Sequence, residues 1–188
     1  RYLKKAGGYC WIEVFARLGY DKNGEATGTY GSLRDITERK RAEEFENEML
    51  LLSAQLTGVK LSEIDKALNL ALSRIGQFLN ADRSYIFEID SEHELMSNTY
   101  EWCNTDISAE IENLQGIPID IFPEWMDKML HHDLLIITSV ADLPDDWAPE
   151  RDILEPQGIK SLISLPLFYE DKLMGFVGLD SVKTQRSY

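Results

Sequence analysis

Cysteine is scarce in this chain of 188 residues: Cys10 and Cys103 are the only two. Two thiols so far apart make neither a disulfide framework nor a four-ligand zinc site, and a reducing cytoplasm is the simplest home for them. Histidine is nearly as rare, at His93, His131 and His132. Adjacent histidines on a helix point about 100° apart, so the 131–132 pair reads as surface rather than as a metal site. No Gly-rich phosphate loop, Gly-x-Ser-x-Gly elbow, His-Glu-x-x-His pair or Cys-x-x-Cys is present. No apolar run approaches the ~20 residues a membrane span needs, which argues against direct membrane contact. The opening Arg1-Tyr2-Leu3-Lys4-Lys5 lacks both an initiator methionine and the apolar core of a signal peptide, so the chain reads as an internal excerpt.

What is present is acidic and globular in composition. The hydrophobic fraction is 44% and the net charge is −14. That charge is uneven: residues 1–41 carry nine Lys/Arg against five Asp/Glu, whereas residues 42–188 carry ten against twenty-eight. A surface so acidic past residue 41 repels nucleic acid phosphates and anionic lipid, so no nucleic acid partner is expected.

Aromatic and β-branched residues over Tyr9–Arg17 predict a strand, Asp21-Lys22-Asn23-Gly24 a turn, and Glu25–Leu33 the returning strand. Asp35 or Thr37 is placed to cap a helix beginning near Glu38. Within that helix Phe45, Met49, Leu52 and Leu56 recur at spacings of four, three and four, a two-stranded coiled-coil seam. The alternative is a helix packed on its own domain; a parallel homodimer is the expectation adopted. A second helix over Leu61–Asn80 carries the stripe Ile64, Leu68, Leu72, Ile75 and Leu79, with Ser62 as its cap. Strands are predicted at Arg83–Asp90, Leu95–Cys103, Leu134–Val140, Ser161–Tyr169 and Lys172–Asp180. Short helices are predicted at Glu110–Leu114, Glu124–His131 and Pro149–Gln157, with an extended stretch at 117–123. The order implies an α+β fold: an antiparallel β-sheet flanked by helices, preceded by a strand fragment and a long linker helix.

Two stretches resemble known families. Lys4-Lys5-Ala6-Gly7-Gly8-Tyr9-Cys10-Trp11-Ile12, Asp21-Lys22-Asn23-Gly24 and Gly31-Ser32-Leu33-Arg34-Asp35-Ile36-Thr37-Glu38-Arg39-Lys40 resemble the C-terminal (PAC) strands of a PAS domain and its exit signal. Asp82-Arg83-Ser84-Tyr85-Ile86-Phe87, Tyr100-Glu101-Trp102-Cys103, Ile117-Pro118-Ile119-Asp120, Leu143-Pro144 and Gln157–Leu167, closed by Gly175-Phe176-Val177-Gly178-Leu179-Asp180, resemble a GAF domain. The resemblance implies three parts: an incomplete PAS domain over 1–37, a helical linker over 38–58, and a GAF domain over 59–188 without its last helix. It also implies a non-catalytic sensory module of a histidine kinase or diguanylate cyclase of two-component type, whose output domain lies outside this chain.

The resemblance further implies a ligand pocket between the sheet and the segment 104–160. Trp102, Phe122, Trp125, Ile163 and Phe176 are its expected walls, and Glu101, Thr138 and Ser161 its polar contacts; the same aromatics would otherwise simply fill a core. Cys103 is the one candidate for covalent attachment. Its Glu-Trp-Cys setting and the lack of a following histidine argue against a bilin, and no histidine motif points to haem. The several cysteines of the redox branch and the Asn-Lys-x-x-Phe signature of the cyclic-nucleotide branch are absent, so no cofactor is indicated. Three functions follow in order: a sensor binding a small molecule, a structural dimerisation spacer, and, well behind, an enzyme using Cys103 as nucleophile.

Overall fold

The aromatic and β-branched run after Gly8 forms strands that reach further than its composition suggested. The computed structural model describes residues 1–3 and 8–187; the Lys4-Lys5-Ala6-Gly7 part of the first motif lies outside the described residues. Two compact units are present, Arg1–Thr57 and Gly58–Tyr188.

In the first unit β1 (Tyr2–Leu3) pairs with β2 (Tyr9–Cys10), and β3 (Ile12–Tyr20) forms an antiparallel hairpin with β4 (Ala26–Asp35). The turn is built as its residues demand: Asp21 Oδ1 accepts the N–H groups of Asn23 and Glu25, and Gly24 takes φ +84°. Both faces of the hairpin are open, with Val14, Phe15, Tyr30 and Leu33 all exposed. A two-stranded hairpin in that condition is marginal by itself.

Helix α1 (Thr37–Leu56) follows. The expected cap is modified: Ile36 occupies the capping position, and Asp35 reaches forward instead, accepting the Thr37 N–H at 2.9 Å and its hydroxyl at 2.6 Å. Thr37 Oγ1 in turn accepts the Trp11 N–H, and Arg39 pairs with Glu13 at 3.2 Å, so the hairpin and the helix start are tied together. Along the predicted seam Phe45 and Leu56 are exposed, Met49 half-buried and Leu52 buried.

The second unit begins with a 3-10 turn over Leu61–Glu63, which displaces the expected Ser62 cap, and then α2 (Ile64–Phe78). Its apolar stripe turns inward, with Leu72 buried and the rest half-buried. Strands β5 (Arg83–Asp90) and β6 (Leu95–Cys103) form a hairpin at the predicted limits. Then come β7 (Ile117–Pro118), α3 (Pro123–Leu130), β8 (Leu135–Ile137), α4 (Ala148–Leu154) and the hairpin β9 (Ser161–Tyr169) with β10 (Lys172–Ser181). The predicted helix at 110–114 is a 3-10 turn, Ile111–Asn113, and the extended 117–123 stretch folds into another after two paired residues.

The sheet has six antiparallel strands in the order β7-β6-β5-β10-β9-β8. Helix α2 covers one face, where Ser84 Oγ donates to the Leu72 carbonyl at 2.8 Å. The core lies on the other face, under α3, α4 and the long connection between β6 and β9. There Phe87 and Phe176 stack at 4.8 Å between centroids, with Met126, Met129, Ile137 and Leu162 buried around them. The expected α+β fold is the one formed.

Candidate functional site

Period-2 alternation decides which side chains face the helices α3 and α4. From β5 these are Tyr85 and Phe87; from β10, Phe176 and Asp180. In β6 the simple alternation breaks. Phe87 pairs with Asn98 but Ile86 with Tyr100, a bulge that lets Asn98 and Glu101 share one face despite odd spacing. The Asn98 amide, with its nitrogen donating to the carbonyls of Tyr100 (3.0 Å) and Ile86 (3.2 Å), pins that bulge.

These residues border a cavity of about 40 Å³, closed by Phe122 and Trp125 at the start of α3 and by Leu154, Gln157 and Ile159 around the end of α4. Such a space holds a few water molecules, against the several hundred Å³ of a drug-sized site. Trp125 lies 5.5 Å from Phe176 and 6.2 Å from Phe122 between ring centroids, so aromatic faces make up much of the wall.

The polar side of the cavity is acidic. Asp180, 2% exposed, accepts a hydrogen bond from the Tyr85 hydroxyl at 2.9 Å, and its Oδ2 lies 3.4 Å from Arg83 Nε. Burial pushes the Asp180 carboxyl up to about 7, against the downward pull of Arg83 and of the Tyr85 hydrogen bond. Arg83 is also fully buried; it lies 3.6 Å from Glu110 and donates to the Gln157 carbonyl at 3.2 Å. Glu101 Oε2 accepts the N–H groups of Glu110 and Ile111, so the carboxylate holds down the segment that crosses the cavity. Two buried polar groups meet at the start of α3. Glu150, wholly buried, accepts the N–H groups of Glu124 and Trp125 and caps α3 from another helix. Trp125 is 3% exposed, and its Nε1 has no acceptor among the described residues.

Of the residues expected at the pocket, the structure brings Glu101, Phe122, Trp125 and Phe176 together around this cavity. Five lie elsewhere. Trp102 and Ile163 fall on the opposite strand phase; the Trp102 ring packs against Gly76 of α2. Ser161 is buried with its hydroxyl accepting the Arg186 N–H, and Thr138 is exposed. Cys103 is half-buried, its Sγ directed to the Ser108 carbonyl, and burial with Glu101 nearby pushes its thiol up to about 11. That value leaves almost no thiolate at neutral pH, which disfavours Cys103 as a nucleophile. The polar residues that sequence reasoning missed are Tyr85, Asn98, Gln157 and Asp180. Asp180 was within reach: it stands four residues beyond Phe176 in one strand, hence on the same face.

Among the described residues no three His, Cys, Asp or Glu side chains are grouped to hold a metal ion, and no helix is long and apolar enough to cross a membrane.

A family model for the GAF domain matches residues 63–188. This chain belongs to the GAF family. GAF domains are generally regulatory, non-catalytic modules. Across 176 residues, 88% of its length, this chain is 35% identical to the methanogenesis regulatory histidine kinase FilI of Methanothrix harundinacea (strain 6Ac). Sporulation kinase C of Bacillus subtilis (strain 168) is 46% identical over 44 residues, 23% of the chain. The chain spans only 19% and 10% of those two proteins. Among solved structures, the phycocyanobilin-bound GAF domain of a cyanobacterial phytochrome superposes with a TM-score of 0.61 at 18% identity, covering 76% of this chain and 82% of that one. The blue-light-absorbing PixJ GAF domain of Thermosynechococcus elongatus gives 0.55 at 18% identity, covering 70% and 78%. Identities this low speak for the GAF fold alone.

Proposed function

We propose that this protein is the sensory part of a histidine-kinase-type signalling protein, in which the GAF cavity takes a small molecule and α1 relays its presence across a homodimer. One observation carries the ligand reading: a cavity with aromatic walls and two acidic side chains, lined by buried Trp125, whose Nε1 has no acceptor among the described residues. A donor left unpaired in that setting costs about 1–3 kcal/mol, which an occupant with an acceptor atom recovers. Likeness to two kinases favours kinase output over a diguanylate cyclase.

The bilins named for the structural neighbours do not fit these residues. A cavity of about 40 Å³ is too small, and Cys103 lies outside it with its thiol pushed up to about 11. For the relay, exposure of Phe45 and Leu56 on α1 supports a two-helix seam. The open hairpin β3–β4, tied through Asp35, Thr37 and Arg39 to the start of α1, supports the reading of residues 1–37 as the closing strands of a PAS domain and of 38–58 as the linker.

The small cavity volume favours a second reading, a GAF domain retained as a dimerisation spacer. Native mass spectrometry of protein purified from cells separates the two. An excess mass lost on denaturation is the expected result; a bare mass, both as purified and after incubation with cell extract, favours the spacer.

A further inference from the structure

The lining of the cavity restricts the charge and shape of what it accepts. Its two carboxyl side chains are Glu101 and Asp180, and among the described residues no Lys, Arg or His lines it. The nearest cation, Arg83, is already shared among Asp180, Glu110 and the Gln157 carbonyl. An anion placed here meets carboxylates across a few ångströms of poorly screened protein. The hydrogen-bonding groups are complementary to a different chemistry. Trp125 Nε1 needs an acceptor, whereas the carboxylates accept from N–H or O–H groups. The Phe87, Phe176 and Trp125 rings make much of the remaining wall aromatic, which suits a planar group.

We propose that the cavity recognises an uncharged, planar group carrying a carbonyl beside an N–H — an amide, lactam or urea — and rejects carboxylates and phosphates. The carbonyl accepts from Trp125, and the N–H donates to Glu101 or Asp180. This rests on the reading of the cavity as a ligand site and specifies its ligand. The available volume fits the recognition group alone, so the rest of a larger ligand requires the segment crossing the cavity to shift, and Glu101 holds that segment.

Acetamide and acetate make a matched test, since both are planar and each has four heavy atoms. Each is titrated at constant ionic strength, at pH 8, into the full chain labelled with ¹⁵N-tryptophan, and the indole signal of Trp125 is identified by Trp125→Phe. The expected result is a saturable shift of that signal with acetamide and at least tenfold weaker binding of acetate. Glu101→Gln keeps an acceptor for the Glu110 and Ile111 N–H groups while removing the charge, and should narrow the preference to less than threefold. Acetate binding as well as acetamide, or a preference unchanged in Glu101→Gln, overturns the charge rule but leaves a ligand site in place. A Trp125 signal unmoved by either probe overturns the inference, and the native mass then decides separately whether the cavity binds anything.

Discussion

Replacing Gly178 by alanine should unfold the GAF unit far more readily, although the same change in most strands helps. Alanine in a strand interior normally gains about 0.5–1 kcal/mol over glycine because less backbone freedom is lost on folding. At Gly178 the ring of Tyr85 occupies the space: a Cβ would lie 2.5 Å from the Tyr85 hydroxyl oxygen and closer still to the ring carbons. The ring must leave, and with it goes the 2.9 Å hydrogen bond to Asp180. Overpacking costs about 1–3 kcal/mol and loss of a hydrogen bond to a charged group about 1.5–3, so Gly178→Ala should destabilise by about 3–5 kcal/mol. Tyr85→Ala alone falls in a similar range by cavity formation. The double variant should lie within about 1 kcal/mol of Tyr85→Ala, because no ring remains to strike. Urea unfolding followed by tryptophan fluorescence reads this, since Trp102, Trp125 and Trp147 all lie in the GAF unit. A stabilised Gly178→Ala, or strictly additive single variants, would refute the packing argument.

Four further outcomes follow from the same structure. Glu150→Ala strands the buried N–H groups of Glu124 and Trp125 and should cost about 2–4 kcal/mol in the same urea assay, with Glu150→Gln recovering much of it. Because Asp180 holds its proton to about 7 when folded but only to 3.8 when unfolded, its contribution to stability is full below pH 3.8 and lost as pH rises through about 7. The wild type should therefore lose up to about 4 kcal/mol relative to Asp180→Asn across that window, and parallel pH profiles would contradict it. Cys103, with its thiol at about 11, should alkylate at pH 8 on the order of 100-fold more slowly than a free cysteine, by thiolate fraction alone. Phe45→Asp combined with Leu56→Asp should halve the light-scattering mass without altering the far-ultraviolet dichroism; an unchanged mass removes α1 as the dimer seam.

Elements with a clean local signal were legible in the sequence. The hairpin of β5 and β6 and the strand β9 lie at their expected limits, and β10 runs one residue further. The candidate site was less legible, because its decisive features are not local. The bulge in β6 brings Asn98 and Glu101 to one face, which alternation alone forbids. The cap of α3 comes from Glu150, some 25 residues downstream, so no signal near Pro123 betrays it. Trp102, Ile163 and Phe176 all read as pocket aromatics or aliphatics, yet only strand phase separates the two faces. Phe176 falls inside and the other two outside. The strand expected over Leu134–Val140 pairs through only three residues because it sits at the sheet edge, beside β9 alone.

The central claim is that the space between β5, β6, β10 and α3 belongs to a ligand, and the most direct measurement is a crystal structure of protein purified from its own cells. The account predicts density for a molecule larger than water within hydrogen-bonding distance of Trp125 Nε1, with the segment anchored by Glu101 moved outward to admit it. Side chains filling that space, or ordered water alone between Trp125 and Asp180, would contradict it.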